Sequence, residues 1–149
     1  MTDPLSDLPP LTDEDRQRLN ASSVGTLVER MEIDILAASA EKVVARMPVQ
    51  GNTQPYGLLH GGASVVLAET LGSIGSALHA GPDRIAVGLD INATHHRAAT
   101  SGHVVGVATP LSLGRSVAAW EIVVTDDQGR RVCTSRITCM LRDVPPGQG

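Results

Sequence analysis

Residues 60–82 read HGGASVVLAETLGSIGSALHAGP and carry the strongest structural signal in this chain of 149 residues. Their larger apolar residues recur at steps of four, three and four, as on one face of an α-helix: Leu67, Leu71, Ile74 and Leu78. Gly81-Pro82 is typical of a helix end. We therefore predict one helix over about residues 60–80, with this apolar face packed against a sheet.

The rest of the chain shows apolar residues alternating with polar ones, which is typical of half-buried antiparallel strands. The alternation occurs near residues 31–35, 43–49, 85–92, 102–109, 117–124 and 131–141. The predicted order is β-β-α-β-β-β-β, and the predicted fold class is α+β, one long helix against one antiparallel sheet. Thr12, followed by three acidic residues, predicts a short additional helix over about residues 12–20.

The composition argues against several classes of partner. The net charge is −4 and there is no block of Lys or Arg, so neither nucleic acid nor a membrane surface is expected as a partner. No apolar run reaches the roughly 18 residues of a membrane span, and the acidic, Pro-rich start is unlike a signal peptide. We predict a cytoplasmic protein in which Cys133 and Cys139 are reduced core residues.

Glu69 is the only formally charged residue between Leu59 and Pro82. At about 100° per residue, it lies roughly 160° from the centre of the apolar face and points away from the sheet. A chain of this length has little left to cover that side, so a partner subunit is the natural cover. A carboxylate in such an interface is a functional candidate. The alternative is an exposed glutamate on a helix that happens to be poor in charge.

His60-Gly61-Gly62 stands at the start of the same helix, where backbone N–H groups are free and the helix dipole is positive. Because glycine has no Cβ, a ligand carbonyl can approach this backbone and be polarised by it. Alternatively, the two glycines serve only the turn from strand to helix. Together with a carboxylate two turns later, the pattern is typical of an oxyanion site beside a nucleophile or an acid-base group.

Residues 54–70, QPYGLLHGGASVVLAET, resemble the hotdog-fold acyl-CoA thioesterases. The resemblance continues through residues 87–97 (VGLDINATHHR) and 110–115 (PLSLGR). Within this group the chain is similar to the branch that contains the enterobactin proofreading thioesterase and the 1,4-dihydroxy-2-naphthoyl-CoA hydrolase, and to the Arthrobacter-type 4-hydroxybenzoyl-CoA thioesterases. The family fold, a long helix wrapped by an antiparallel sheet, agrees with the fold predicted from periodicity.

The resemblance implies a domain organisation. It runs from about residue 25 to 142, so a hotdog thioesterase domain is expected over residues 26–142. Residues 1–25 would be an N-terminal extension with a short helix, of which residues 1–10 are predicted to be disordered. Residues 143–149 would be a flexible tail.

The resemblance also implies roles for individual residues. Glu69 matches the catalytic carboxylate, acting as nucleophile or as general base on water, and Gly61 matches the backbone donor that polarises the thioester carbonyl. Gln54 and His60 match polar groups near the thioester and the nucleophilic water, and Ser73 matches a hydroxyl one turn after the carboxylate. The segments that hold coenzyme A are matched by Gly88, His95, His96, Arg97, Ala98, Ser112, Leu113, Gly114, Arg115, Ser116 and Val117.

Two departures and two cations bear on the coenzyme A contacts. Ser112 and Val117 stand where close relatives have His. Arg97 and Arg115 are candidate phosphate partners, with simple solvated arginines as the alternative. No metal site is expected, because the adjacent residues His95 and His96 would point to opposite faces of a strand.

The predicted function is hydrolysis of an acyl-CoA or acyl-carrier-protein thioester, with an aromatic acyl group favoured by the resemblance. It further implies a homodimer with shared sites, paired into a homotetramer. No cofactor is expected, since coenzyme A is part of the substrate. Two alternatives stay open. One is a hotdog enoyl-CoA hydratase or dehydratase, in which His60 and Glu69 would transfer protons at carbon. The other is a non-catalytic acyl-CoA-binding module.

Overall fold

Two short helices precede a β-β-α-β-β-β-β domain, as predicted, in the computed structural model, which describes residues 3–7 and 11–147. The elements are α1 (Asp13–Ser23), α2 (Leu27–Arg30), β1 (Asp34–Ala38), β2 (Val43–Pro48), α3 (Gly61–Ala80), β3 (Arg84–His95), β4 (His103–Leu113), β5 (Val117–Asp126) and β6 (Arg131–Asp143). Of the residues expected to be disordered or flexible, 1, 2, 8–10, 148 and 149 lie outside the described part. No helix within it is long and apolar enough to cross a membrane.

The six strands form one antiparallel sheet in the order β1-β2-β4-β5-β6-β3. After β2 the chain runs through α3 and returns as β3 at the opposite edge of the sheet. The long helix packs against strands from β2 to β6. One helix held by one antiparallel sheet is the hotdog arrangement, so the predicted fold class is confirmed.

The packed face of α3 differs from the predicted one in its second half. Leu67 and Leu71 are fully buried, as predicted, but Ile74 is only half-buried and Leu78 is 48% exposed. The prediction that all four residues pack against the sheet is therefore wrong for Leu78, whereas Ile74 packs at the margin of the core. Hydrophobic size alone did not indicate which side of the helix meets the sheet.

Small residues of α3 face the sheet instead, because the sheet supplies the larger side chains. A Cβ on Gly75 would lie 2.5 Å from the ring of the fully buried Trp120. A Cβ on Gly72 would overlap the side chain of Ile137. The two glycines let the helix approach the sheet closely, and the volume that they leave is filled from β5 and β6.

The N-terminal part of the domain also departs from the predicted boundaries. The first strand begins at Asp34 rather than near residue 31, because Met31 caps α2 and Glu32 turns the chain with a φ of 55°. The helix α2 has only four residues and was not predicted. The predicted short helix is present as α1, with Thr12 as the N-cap accepting the N–H of Asp15 at 3.1 Å.

An ion pair and a backbone hydrogen bond hold α1 against the first strand. The Nη2 atom of Arg16 donates to both carboxylate oxygens of Asp34, at 2.9 and 3.1 Å. The N–H of Leu11 donates to the carbonyl of Leu36 at 3.3 Å. The N-terminal extension is therefore packed along β1, beside the outer side of α3.

The two cysteines are buried free thiols, as predicted. Both Cys133 and Cys139 are fully buried on β6, and burial raises the pKa of the Cys133 thiol.

Candidate active site

The first turn of α3 leaves one backbone donor free. His60 is the N-cap, and its Nδ1 accepts the N–H of Gly62 at 2.8 Å. The carbonyl of His60 accepts the N–H of Ala63 at 2.9 Å. Across residues 3–7 and 11–147, the N–H of Gly61 has no hydrogen-bond partner. Gly61 is thus the residue whose donor is available to a ligand at the positive end of the helix.

The same cap sets the orientation of the His60 ring. Because Nδ1 of His60 accepts a hydrogen bond, a neutral ring carries its proton on Nε2. That nitrogen has no acceptor in the described part of the chain, so it can donate to a ligand or a water molecule.

A cleft of about 390 Å³ opens at this helix start, and we call it the Gly61 cleft. It brings together six of the residues singled out from the sequence: Gln54, Gly61, His95, His96, Arg97 and Ala98. Sequence reasoning missed five others, which are Leu58, Leu59, Ser64, Ala99 and Val132. Helical spacing could have indicated Ser64, since it lies about one turn after Gly61. Val132 is brought to the cleft only by the pairing of β6 with β3.

The His95 ring occupies the space left by the missing Cβ of Gly61. A Cβ there would lie 2.8 Å from Nε2 of His95. From the sequence this space was expected to receive a ligand carbonyl, but in the structure it holds a side chain. A ligand carbonyl would therefore approach the Gly61 N–H beside the His95 ring.

His95 is the last residue of β3 and His96 follows the strand, so the expected alternation of faces does not apply and both residues line the Gly61 cleft. Nε2 of His96 is 2.9 Å from the hydroxyl of Thr134. No group of three residues able to hold a metal ion occurs in the described part of the chain.

The loop before α3 fixes the amide of Gln54. The side-chain oxygen of Gln54 accepts the backbone N–H of Tyr56 at 2.7 Å, and the backbone N–H of Gln54 donates to the carbonyl of Leu58 at 2.8 Å. The backbone donor identifies which end of the amide is the oxygen, so the NH₂ group is left to donate into the Gly61 cleft.

Glu69 lies in a different cleft of about 410 Å³, which we call the Glu69 cleft. Its lining also includes Ser73, the other predicted residue of this group. The complete lining is Leu19, Ser22, Ser23, Thr26, Val28, Ile35, Glu69, Thr70, Ser73 and Ile74. Six of these ten residues precede α3 in the chain and were not predicted as site residues.

Gly88 stands beside the Glu69 carboxylate. A Cβ on Gly88 would lie 2.7 Å from Oε1 of Glu69. The side chain of Glu69 is exposed within one chain, and it leans toward the edge strand β3 instead of pointing straight away from the sheet as expected. The resemblance assigned Gly88 to coenzyme A binding, whereas its immediate neighbour within one chain is the carboxylate.

One chain does not bring Gly61 and Glu69 together. Eight residues separate them on α3, which corresponds to about 12 Å along the helix axis and about 80° around it. A reacting carbonyl must lie about 3 Å from its hydrogen-bond donor and about 3–3.5 Å from its nucleophile. A site that uses both residues therefore needs Gly61 from one copy and Glu69 from another.

The last group of predicted residues, 112–117, spans the end of β4, the turn after it and the start of β5, and these residues line neither cleft. Two side chains tie this turn to the domain. Nε2 of His79 lies 2.8 Å from the carbonyl of Gly114, and Nη1 of Arg84 donates to the carbonyl of Arg115 at 2.8 Å. Neither His79 nor Arg84 was predicted as a site residue. The Arg115 side chain is exposed and forms no ion pair with a described residue.

Comparison with known proteins finds relatives among the thioesterases. The family profile described as "Thioesterase superfamily" matches residues 56–133. The proofreading thioesterase EntH of Cronobacter turicensis is 52% identical over 123 residues, which make up 82% of this chain and 90% of that protein. EntH of Klebsiella pneumoniae is 51% identical over 120 residues, 80% of this chain and 88% of that protein.

Solved structures give the same result. The thioesterase HI1161 of Haemophilus influenzae superposes with a TM-score of 0.84 and 37% identity, covering 90% of this chain and 94% of that one. A variant of the thioesterase PA1618 of Pseudomonas aeruginosa superposes with a TM-score of 0.82 and 39% identity, covering 89% and 97%.

Proposed function

The chain belongs to the thioesterase superfamily, and on that premise we propose that it hydrolyses acyl-CoA thioesters with aromatic acyl groups. The reaction class, hydrolysis of a thioester, follows from the family. The finer proposal is carried by the N–H of Gly61 at the start of α3, which has no hydrogen-bond partner among the described residues. The same helix carries the exposed carboxylate of Glu69 two turns later.

In the proposed mechanism, the thioester carbonyl oxygen accepts a hydrogen bond from the Gly61 N–H, and the amide of Gln54 and Nε2–H of His60 supply further donors. One such donor is worth about 10²- to 10³-fold in rate. Glu69 of a second copy then acts in one of two ways. It attacks the carbonyl carbon, expelling the thiolate and leaving an anhydride that water cleaves, or it removes a proton from the attacking water. Either route yields the free acid and the thiol.

Two copies of the chain are part of this proposal, since one copy separates the two residues. The edge strand β3 offers a surface for the second copy. Its outer side is not paired with any described strand, and its residues Val87 and Leu89 are 38% and 54% exposed. Pairing along such an edge would satisfy its open hydrogen-bonding groups. We propose a homodimer with shared sites that pairs further into a homotetramer.

Coenzyme A would be held by cationic and backbone groups at two places. Arg97 lines the Gly61 cleft, and Arg115 lies on the turn between β4 and β5. Neither guanidinium forms an ion pair with a described residue, so both can form bidentate contacts with phosphate oxygens. An acyl-carrier-protein thioester presents the same reacting group, and we propose no separate cofactor for either substrate.

The hydratase alternative requires a histidine nitrogen that accepts a proton near the carboxylate. Nδ1 of His60 already accepts the N–H of Gly62, so a neutral His60 offers only a donor, and its exposed side chain does not line the Gly61 cleft within one chain. This arrangement favours polarisation of a carbonyl over proton abstraction at carbon. Crotonyl-CoA distinguishes the two, because a hydratase removes the enoyl absorbance without releasing a thiol.

Thiol release from benzoyl-CoA and a panel of aryl- and alkyl-CoA thioesters tests the role of Glu69. Glu69→Gln keeps the size of the side chain and removes its charge, so thiol release should fall by about 10²-fold or more. Glu41→Gln is the matched control, because Glu41 is exposed on the turn between β1 and β2. If Glu69→Gln released thiol at the wild-type rate, Glu69 would not be the catalytic carboxylate.

Mixed dimers test whether the site is shared. Glu69→Gln and Gly61→Pro, which removes the N–H, are expressed together with different tags and purified as the heterodimer. One of its two sites then holds both wild-type residues, so about half of the wild-type activity should return by two-fold symmetry. A heterodimer as inactive as either homodimer would place both residues in the same chain's site.

A further inference from the structure

The N-terminal extension forms one wall of the Glu69 cleft. Leu19 and Ser22 of α1, Thr26 before α2 and Val28 of α2 face Thr70 and Ile74 of α3 across it, and Glu69 and Ser73 stand at the same cleft. A group bonded to the carbonyl that Glu69 attacks must lie within a few ångströms of the carboxylate. Both the acyl chain and the thiol part are bonded to that carbonyl, and the apolar side chains of Leu19, Val28 and Ile74 suit the acyl chain better than the polar thiol part.

Leu19 separates the Glu69 cleft from two further clefts. It lines the Glu69 cleft of about 410 Å³ together with two neighbours of about 480 and 510 Å³. Only Ile74 of α3 also lines all three. The Leu19 side chain is half-buried and packs on the core. Removing its three side-chain carbons beyond Cβ would join the Glu69 cleft to the space beyond it.

Four of the five hydroxyls that line the cleft are already engaged, and Ser73 alone makes no hydrogen bond to a described residue, which limits the acyl group that the cleft can take. The hydroxyls of Ser22 and Ser23 donate to the carbonyl of Leu19 at 2.8 and 2.9 Å. The hydroxyls of Thr26 and Thr70 likewise donate to backbone carbonyls, at 2.6 and 2.7 Å. With their protons used, these hydroxyls offer no donor to a carboxylate, and Glu69 would repel one. The lining suits a neutral, apolar acyl group.

From these contacts we propose that α1 is a wall of the acyl pocket and that Leu19 sets the largest acyl group the enzyme accepts. The proposal rests on the proposed role of Glu69 in thioester hydrolysis. It assigns a role to the N-terminal extension, whose helix α1 is held to β1 by the Arg16–Asp34 ion pair. The position of Leu19 depends on that docking.

The experiment compares acyl size in Leu19→Ala and in wild-type enzyme. The kcat/KM for decanoyl-CoA relative to butyryl-CoA should rise about tenfold or more in Leu19→Ala, the scale expected when a pocket gains or loses a few methylene groups. Leu19→Phe should lower the same ratio. Leu27→Ala is the matched control, because Leu27 of α2 is 53% exposed and lines none of the described clefts.

Binding of decyl-CoA and butyl-CoA thioethers, which cannot be hydrolysed, keeps the two proposals separable. The ratio of their Kd values should shift in Leu19→Ala in the same direction as kcat/KM. If the wild-type protein hydrolyses no thioester but the Kd ratio still shifts in Leu19→Ala, the hydrolytic mechanism is refuted and the proposed acyl pocket is supported. An active Leu19→Ala and an active Leu19→Phe with the wild-type ratio would overturn the proposal. If Leu19→Ala fails to fold, Leu19→Phe alone decides between the two outcomes.

Discussion

Replacing Gly61 by Pro should remove the proposed oxyanion donor while leaving helix α3 in place. Gly61 is the first residue of α3, where proline is well tolerated because its missing N–H has no partner within the helix. The residue before a proline must be extended, and His60 already has φ −65° and ψ 129°. The substitution thus changes one hydrogen-bond donor at little cost to the backbone.

Gly61→Ala is the matched control, since it introduces the same Cβ and retains the N–H. In both variants the Cβ would begin 2.8 Å from Nε2 of His95. This atom is the far end of an exposed side chain, so the ring can move by a few tenths of an ångström. Both variants therefore carry the same displacement of His95, and their difference isolates the N–H.

The expected difference follows from the energy of one oxyanion donor. The kcat for thiol release by Gly61→Pro should be about 10²- to 10³-fold below that of Gly61→Ala. This ratio corresponds to the loss of about 2.7–4 kcal/mol of transition-state stabilisation. Melting temperatures of the two variants should agree closely. Equal kcat values in two folded and active variants would refute the assignment of the Gly61 N–H as the donor.

Three further predictions concern groups outside the reacting centre. His79→Ala should raise the KM for a CoA thioester several-fold more than it lowers kcat, because the turn between β4 and β5 loses a 2.8 Å hydrogen bond. His79→Gln keeps a donor and should restore the wild-type KM. A fall in kcat with an unchanged KM in His79→Ala would contradict this prediction. Both cysteine thiols should resist a thiol reagent in the native protein and react only after unfolding, since they are buried; rapid labelling of the folded protein would show otherwise. Asp126 is nearly buried, and although burial alone raises its pKa, hydrogen bonds from Arg130 and Gln128 lower it overall. The ionised Asp126 therefore stabilises the fold above the unfolded pKa of about 3.9 and loses this effect as the pH falls through the lower folded pKa. At pH 7 the wild-type protein should unfold at a higher urea concentration than Asp126→Asn, and the difference between the two midpoints should close below about pH 4. A difference that does not change with pH would contradict the ionic origin.

Local signals in the sequence were sufficient for most of the secondary structure. The cap at His60 and the stop at Gly81 bound α3 closely because capping depends on residues next to one another in the chain. The alternation of apolar residues located the strands for a similar reason. These signals did not indicate which side of α3 packs on the sheet, since Gly72 and Gly75 face it only because the sheet supplies Ile137 and Trp120.

The candidate site divides in the same way. The motif around His60-Gly61-Gly62 and the lone charge at Glu69 could be read from the sequence because each is a local property of one helix. The sequence did not indicate that these residues lie at two separate clefts. Nor did it indicate that the ring of His95 lies against Gly61 or that Leu19 lines the cleft beside Glu69. These contacts join residues far apart in the chain, and only the packing of strands and helices determines which of them meet.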